Sequence, residues 1–396
     1  MKLDIFFSIC QTEVDGYLPS ERVMYENFFE QVDLADELGF GTAWLAETHL
    51  SCEVQKLNPG AVIPHFVGEI GLNTDVLQLA PRIFARTRNL EVGSAIRNIL
   101  CNGGPIAHAE AVRTFLALHG LDEAEERRLH LGFASGRFPF SNIPYGIHPR
   151  SPVEEAAWPA LKGAVFRQAT EILLRLLRGE VFSSDEVTPI ELTREDFRSD
   201  QDWERTLRAH RRRVDAVPVP PFWTFGKVGV IPREPRMELL RTVIGCHDAR
   251  GQVWANRFHP CGVFNLSITP SKQIEATHER MKEAFHPEGG PWSRAHMPRT
   301  VLVFVDEDGG KAQQAAKKAL ETYWRAMEGT LDPAKVESAV SNNLVGTPAE
   351  VLADMKERFH PEDRLMLWFD FNNHDSQAVQ KTMRLFMEKV APELPA

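Results

Sequence analysis

The stretch Gly39-Phe40-Gly41-Thr42-Ala43-Trp44-Leu45-Ala46-Glu47-Thr48-His49-Leu50 constrains this chain more than any other. Before it, Phe28, Phe29, Val32, Leu34, Ala35 and Leu38 recur at helical spacing, so about Glu21 to Leu38 reads as an amphipathic helix. Gly39 ends that helix, because glycine takes a left-handed turn at no steric cost. Thr42 to Ala46 is a short apolar run suited to a strand buried on both faces. The polar residues Glu47, Thr48 and His49 follow where that strand ends. Helix, tight turn, buried strand and polar strand end form the repeating unit of a parallel α/β protein. In a barrel of such units, chemistry is placed at those strand ends. A lone histidine there also fits a purely structural role, so both readings of His49 stand.

The unit recurs along the chain. Leu3–Ile9 reads as the first strand, Leu90–Ile96 as the third, and Leu129 onward to the Ser135-Gly136-Arg137 loop as the fourth. Leu240–Gly245, Gly262–Ile268, Arg299–Val305 and Leu365–Phe371 read as strands five to eight. Helices are expected over Leu79–Arg88 with Pro81 at the start, from Pro105 through Leu118, and over Val165–Leu177. Others are expected over Gln252–Arg257, Ser271–Ala284, Lys311–Met327, from the capping box Thr347-Pro348-Ala349-Glu350, and over Gln377–Val390. Eight strands alternating with helices predict an α/β fold, a (β/α)8 TIM barrel spanning 1–396 as a single domain. Residues 183–235 break the rhythm. They are rich in Asp, Glu and Arg, with Pro218, Pro220, Pro221, Pro232 and Pro235 clustered around Phe222-Trp223-Thr224-Phe225. This segment reads as an insertion between strands 4 and 5, packed as a cover over the pocket.

Composition excludes some classes. A formal net charge of −10 argues against a nucleic-acid binder, and the basic run Arg208-Ala209-His210-Arg211-Arg212-Arg213 reads as a solvated helix face. No window holds the ~20 apolar residues of a membrane span, and the N-terminus lacks the layout of a signal peptide. The cysteines Cys10, Cys52, Cys101, Cys246 and Cys261 are odd in number and lack a C-x-x-C pair. A reduced, cytoplasmic protein with no disulfide framework and no metal site is expected.

Three segments look ready to hold a ligand. Ser94, Ala95 and Ile96 end the third strand in mostly small residues, where a flat molecule can approach the backbone. Ser135-Gly136-Arg137 is a weak phosphate signal by itself. Cys246-His247-Asp248-Ala249-Arg250 opens a helix whose N–H groups suit an anion, with Arg250 adding charge; alternatively, His247 and Asp248 merely cap that helix.

In this order, the segments resemble the bacterial luciferase-like flavin-dependent monooxygenases. Gly39 to His49 is similar to that family's second-strand segment, which usually ends Glu-His-His. Val92-Gly93-Ser94-Ala95-Ile96 is similar to the segment beneath the flavin ring, and Phe166–Gly179 to the helix after strand four. Val345-Gly346-Thr347-Pro348-Ala349-Glu350 and Leu385–Pro392 resemble its C-terminal signature. The resemblance implies reduced FMN, or alternatively F420, bound at the carboxyl ends of the strands. It implies a two-component monooxygenase that oxidises a small organic substrate with O2 through a flavin peroxide, supplied by a flavin reductase. It also implies a homodimer formed through the Pro105 helix, which carries Glu110. His49, Glu47 and Thr48 are the catalytic candidates. Ser94, Ala95, Ile96, Ala134, Ser135, Gly136, Arg137, Cys246, His247 and Arg250 are the cofactor-binding ones. The chain departs from the pattern at Thr48, where the first histidine is usual, and at Ala134 and Ser135, where a reactive cysteine and a phosphate-pairing arginine are usual. An F420-dependent oxidoreductase, a non-catalytic flavin-binding homologue and a barrel hydrolase are the competing readings.

Overall fold

Ser20 accepts a hydrogen bond from the Val23 amide (3.3 Å) and starts the helix Glu21–Leu38. Gly39, at φ 83°, ends it, as glycine is expected to. The strand Thr42–Leu45 follows, fully buried. The computed structural model describes residues 1–330 and 332–395, and the same unit recurs through them. The strands Lys2–Phe7, Thr42–Leu45, Glu91–Ser94, Leu129–Ala134, Leu240–Ile244 and Cys261–Val263 pair side by side, all parallel. Pro298–Val305 pairs with Arg364–Trp368, which returns to pair with Lys2–Phe7. The ring closes where Asn265 bridges Arg299: its amide donates to the Pro298 carbonyl (3.0 Å), and its carbonyl accepts from the Thr300 amide (3.0 Å). These eight strands, numbered one to eight below, form a closed parallel barrel, in keeping with the α/β TIM-barrel expectation. Short strands Arg97–Asn98 and Leu344–Gly346 add to strands four and seven.

Several boundaries differ from expectation, each for a local reason. The helix read as opening at Pro81 runs over Val76–Arg86, because Asp75 caps it by accepting from the Leu77 amide; Pro81 lies inside. The helix expected over Val165–Leu177 starts at Pro152, capped by Ser151, and tolerates Pro159 within it. Asp248 starts the helix Ala249–Ala255, earlier than the expected Gln252. Strand eight stops at Trp368, strand three at Ser94, and strand six at Val263. The Ala95–Ile96 peptide is cis.

Residues 183–235 hold a hairpin, Ile190–Thr193 with Ala216–Val219, and the helix Asp200–His210. Gln168 accepts from the Phe222 amide (3.0 Å), and Arg150 lies over the Phe222 ring, tying the segment to Pro152–Leu177. On the helix Gly104–His119, buried Arg113 donates to the carbonyls of Pro232, Leu177 and Arg233. Three carbonyls on one guanidinium satisfy a buried charge without a carboxylate. Trp223 packs against Gly104 at the start of that helix. Glu195 to Arg198 of this segment line a cavity.

Phe6, Trp44, Val243, Phe264 and Met366 form one cluster although their strands are spread around the ring, so they fill the lumen. Alternation along strand eight follows. Met366 and Trp368 join the lumen cluster, while Leu365, Leu367 and Phe369 join the core beneath the helices.

Candidate active site

At the carboxyl end of the barrel, Ala46, Ala95, Ile96, Leu266 and Trp368 pack onto the lumen cluster. Close backbone approach keeps this level low. A Cβ on Gly132 would stand 2.0 Å from the Ser94 carbonyl oxygen, and one on Gly245 would stand 2.4 Å from Ile96 Cδ1 and 3.3 Å from Ala134 Cβ. Ala95, Ile96, Ala134 and Gly245 therefore meet in a floor of mostly small side chains. Ser94 lies beneath it, 0% exposed, its hydroxyl without a hydrogen-bond partner.

Beside this floor opens a cavity of about 720 Å3 between the ends of strands four and five. Ser135, Gly136, Arg137, Cys246, His247 and Arg250, predicted from two separate segments, line it together. Sequence reasoning missed Lys162, Arg167 and Arg198 on its other walls. Arg250 is not free: it pairs with Asp196 (3.2 Å) and Asp248 (3.7 Å), while Arg167 also reaches Asp196 (3.5 Å). Asp248 caps the short helix by accepting from the Arg250 amide (3.1 Å). The Cys246 thiol is pushed up to about 11 by burial and stays protonated near neutrality.

The strand-two residues occupy a different environment. The Glu47 side chain is fully buried; it accepts from the Val76 amide (2.9 Å) and lies 3.3 Å from His49 Nε2. Arg97 Nη1 approaches it at 3.4 Å and bonds Asp75 at 2.5 Å, and Arg97 Nε donates to His108 Nδ1 at 2.9 Å. Because His108 Nδ1 accepts, its proton sits on Nε2, 3.0 Å from the Cys101 carbonyl. Burial, then the Arg97 charge, lowers the His108 pKa to about 3. His49, 5% exposed, faces the Asn102 amide through Nδ1 (3.2 Å), which puts its proton on the Nε2 that points at Glu47. Yet Glu47 Oε1 and His49 Nε2 lack a well-aligned hydrogen bond. Thr48 is half-buried, held by its amide on the Asn73 carbonyl (2.9 Å), with its methyl against Gly71. The structure thus brings His49 and Glu47 together and places the Ser135 and Cys246 segments in a separate cavity.

A larger cavity, about 1620 Å3, is at the opposite end of the barrel, ringed by Asp4, Thr42, Glu91, His130 and Arg364. There the polar groups satisfy one another. Asp4 accepts from Trp44 Nε1 (2.7 Å), Arg364 bonds Asp4 and Thr42, and His130 pairs with Glu91 (2.6 Å). The mouth over the small floor, with its unpaired polar atoms, is the better place for chemistry despite the smaller cavity. Among the described residues no group of three or more His, Cys, Asp and Glu side chains suits a metal ion, and no helix is long and apolar enough to cross a membrane.

Comparisons with known proteins agree with this architecture. The crystal structure of the monooxygenase RslO1 from Streptomyces bottropensis superposes with a TM-score of 0.69 at 22% identity, covering 99% of both chains. The oxygenating constituent of 3,6-diketocamphane monooxygenase of Pseudomonas putida, solved in complex with FMN, gives 0.60 at 14% identity, covering 100% of this chain and 99% of that one. An F420-dependent secondary alcohol dehydrogenase, in complex with an F420-acetone adduct, gives 0.55 at 15% identity over 99% of both chains. A stretch of 168 residues is 24% identical to the uncharacterized protein y4vJ of Sinorhizobium fredii; it spans 42% of this chain and 38% of that protein's length. Residues 1–362 match the model of the luciferase-like monooxygenases, and the chain belongs to that family.

Proposed function

We propose that the protein is an FMN-dependent monooxygenase that receives reduced FMN from a separate reductase and oxidises a small organic substrate with O2. The observation that carries this reading is the continuity of the small-residue floor with a cavity rich in Arg and Lys. Ala46, Ala95, Ala134 and Gly245 leave room for a planar ring system laid on backbone. Arg137, Lys162, Arg167 and Arg198 surround the adjoining space, where a phosphate would sit. A bound reduced flavin supplies two electrons, so that one atom of O2 enters the substrate and the other leaves as water.

The chain's own residues orient, exclude water and manage protons. Phe66, Ile63 and Met327 pack with Phe138, Phe140 and Tyr323 into an apolar cluster, and Tyr323 also packs on Phe371 just past strand eight; in this reading the cluster roofs the mouth and keeps water out. His49, held between Asn102 and Glu47, is the proton-transfer candidate, with Thr48 beside it. No glycine-rich dinucleotide fingerprint follows any strand in the sequence, which supports a partner reductase. The barrel is one domain with 183–235 as an insertion, and it dimerises through the helix Gly104–His119, whose outward stripe is Glu110, Thr114 and Leu118. A soluble setting in the cytoplasm fits these parts. F420 is the second reading, because the same floor accepts a deazaflavin and one structural neighbour carries F420.

Anaerobic titration with FMN and reduced FMN tests the proposal, followed by turnover with a reductase present. Tighter binding of the reduced form and O2 uptake coupled to product are expected. Efficient NADH oxidation by the protein alone would overturn the two-component reading, and preference for F420 would replace the cofactor.

A further inference from the structure

The mouth holds a second carboxyl that the sequence reading left inside a strand. Asp370 comes two residues after Trp368, and Trp368 two after Met366. Both of those face the lumen, so alternation brings Asp370 to the same side one level higher, at the rim. Strand one matches it across the pairing: Phe6 is in the lumen cluster, and Ser8 follows two residues on. The Asp370 carboxyl lies beside the Ser8 amide and hydroxyl and the Trp368 indole N–H. Even so, Asp370 Oδ1 and Trp368 Nε1 are buried and reach no partner with good hydrogen-bond geometry. Two unmatched polar atoms, one donor and one acceptor, at the rim of a binding floor are what a bound molecule with its own polar edge would satisfy.

We propose that Asp370 is an acid–base residue of the mouth, passing a proton to an oxygen atom of the molecule bound over the floor. The step is balanced. The carboxylic O–H bond breaks, an O–H bond forms on the bound molecule, the carboxylate remains, and water returns the proton in the next cycle. This rests on the flavin reading above, in which one oxygen atom must leave as water and so needs protons.

The surroundings suit that work. Burial raises the carboxyl to about 7, opposed only in part by the nearby N–H and O–H groups of Trp368 and Ser8, so both protonation states are populated near neutrality. The titratable group facing it beyond strand one is Cys10, whose thiol burial pushes up to about 11, so it is neutral there and adds no charge. From the helix Gly309–Ala326, Tyr323 packs on Phe371, the next residue in the chain, at 5.3 Å. None of these side chains is a cation that would hold the carboxyl ionised.

The experiment compares the unmodified protein with Asp370→Asn and Asp370→Glu. In the protein without added ligand, tryptophan fluorescence is followed from pH 5 to 9. An inflection near 7 is expected, lost in Asp370→Asn and kept, displaced, in Asp370→Glu. Unfolding temperatures supply a folding control. Because the folded pKa is raised from 3.8, stability is lost as pH rises from about 4 to 7, so the advantage of Asp370→Asn in unfolding temperature over its parent should be largest at pH 8, smaller at pH 5 and absent only below about pH 4. With reduced FMN and O2, turnover of Asp370→Asn is expected to fall about 10²-fold or more, while FMN affinity stays within about twofold. Asp370→Glu should regain part of the turnover with a shifted pH profile. An inflection that survives in Asp370→Asn, or a turnover and pH profile unchanged by it, overturns the proposal. Failure of the unmodified protein to bind FMN overturns the flavin reading, and with it the proton step, whatever the titration shows.

Discussion

The two ends of the barrel are built from the same strands yet treat their polar groups in opposite ways. At the amino end, Asp4, Trp44, Thr42, Arg364, Glu91 and His130 bond one another. Burial alone would raise the Glu91 carboxyl, but the His130 hydrogen bond and nearby arginines hold it below its usual value. At the carboxyl end, Glu47 Oε1, His49 Nε2, Ser94 Oγ, Trp368 Nε1 and Asp370 Oδ1 are buried without well-aligned partners. An unmatched buried polar atom costs about 1–3 kcal/mol, so five of them at one end are a stability cost that a binding function explains. The paired end, although its cavity is larger, reads as the end that holds the barrel together. The lesson is that satisfaction of polar groups, and not cavity size, separates scaffold from site.

The contrast predicts what mutation should break. At the mouth, His49→Ala should cost about 10²–10⁴ in turnover, some 3–5 kcal/mol of barrier, while leaving the unfolding midpoint and FMN affinity nearly intact. Lost stability with unchanged turnover per folded molecule would move His49 to the scaffold side. At the amino end the signs reverse. Arg364→Met strands the buried Asp4 carboxylate and should destabilise by about 3–5 kcal/mol in urea titration, with turnover per folded molecule unchanged. Recovery of stability in the double change Asp4→Asn with Arg364→Met would sharpen the point.

A third, smaller effect lies in the cationic cavity. Arg167→Met should weaken FMN binding by about tenfold or more, and Asp196→Asn should strengthen it, because Asp196 holds both Arg167 and Arg250. Equal FMN affinity in both variants, measured by fluorescence quenching, would remove this cavity from the binding site.

A last contrast, spread over several residues, comes from acid. His108 titrates near 6.5 when unfolded but about 3 when folded, so below 6.5 the unfolded chain binds more protons. Stability is therefore full above pH 6.5 and declines as pH falls toward 3, by at most about 1.4 kcal/mol per unit from this residue. His278 and His296, both lowered to about 4, act in the same direction. Asp370, raised to about 7, acts in the opposite direction over this window, so the test uses Asp370→Asn: a midpoint that fails to fall between pH 7 and pH 5 in that variant would mean that these imidazoles are charged in the fold.

Much of the barrel was legible because its signals are local. The run from Glu21 to His49 carries its helix period, its glycine stop and its buried strand within 30 residues, and the Thr347–Glu350 capping box forms as read. The ends of elements were less legible, since Asp75 and Ser151 cap helices that begin well before the expected starts and run through Pro81 and Pro159. In the site, the two cavity-lining segments were visible as strand-end loops. The clamp on Glu47 was not, because Arg97, Asp75 and His108 come from three segments that meet only in the fold. Asp370 was hidden differently: it sits in the apolar run Leu365–Phe371, and its direction depends on which neighbours face the lumen. Asp196 and Arg198 belong to a segment whose docking no local pattern announces.

The close approach of Gly132 to the Ser94 carbonyl has a consequence for how this catalyst could change over generations of mutation. A methyl group at position 132 would meet backbone at 2.0 Å, which no side-chain rearrangement relieves. The level of the floor is therefore inherited as a fixed quantity, shared by every molecule that enters. The apolar cluster proposed as a roof is different: Ile63, Phe66, Phe138 and Phe140 pack through side chains, which repack when their sizes change. New substrate ranges should arise, in nature or in a selection experiment, by trading volume among those four positions above a floor that stays where it is.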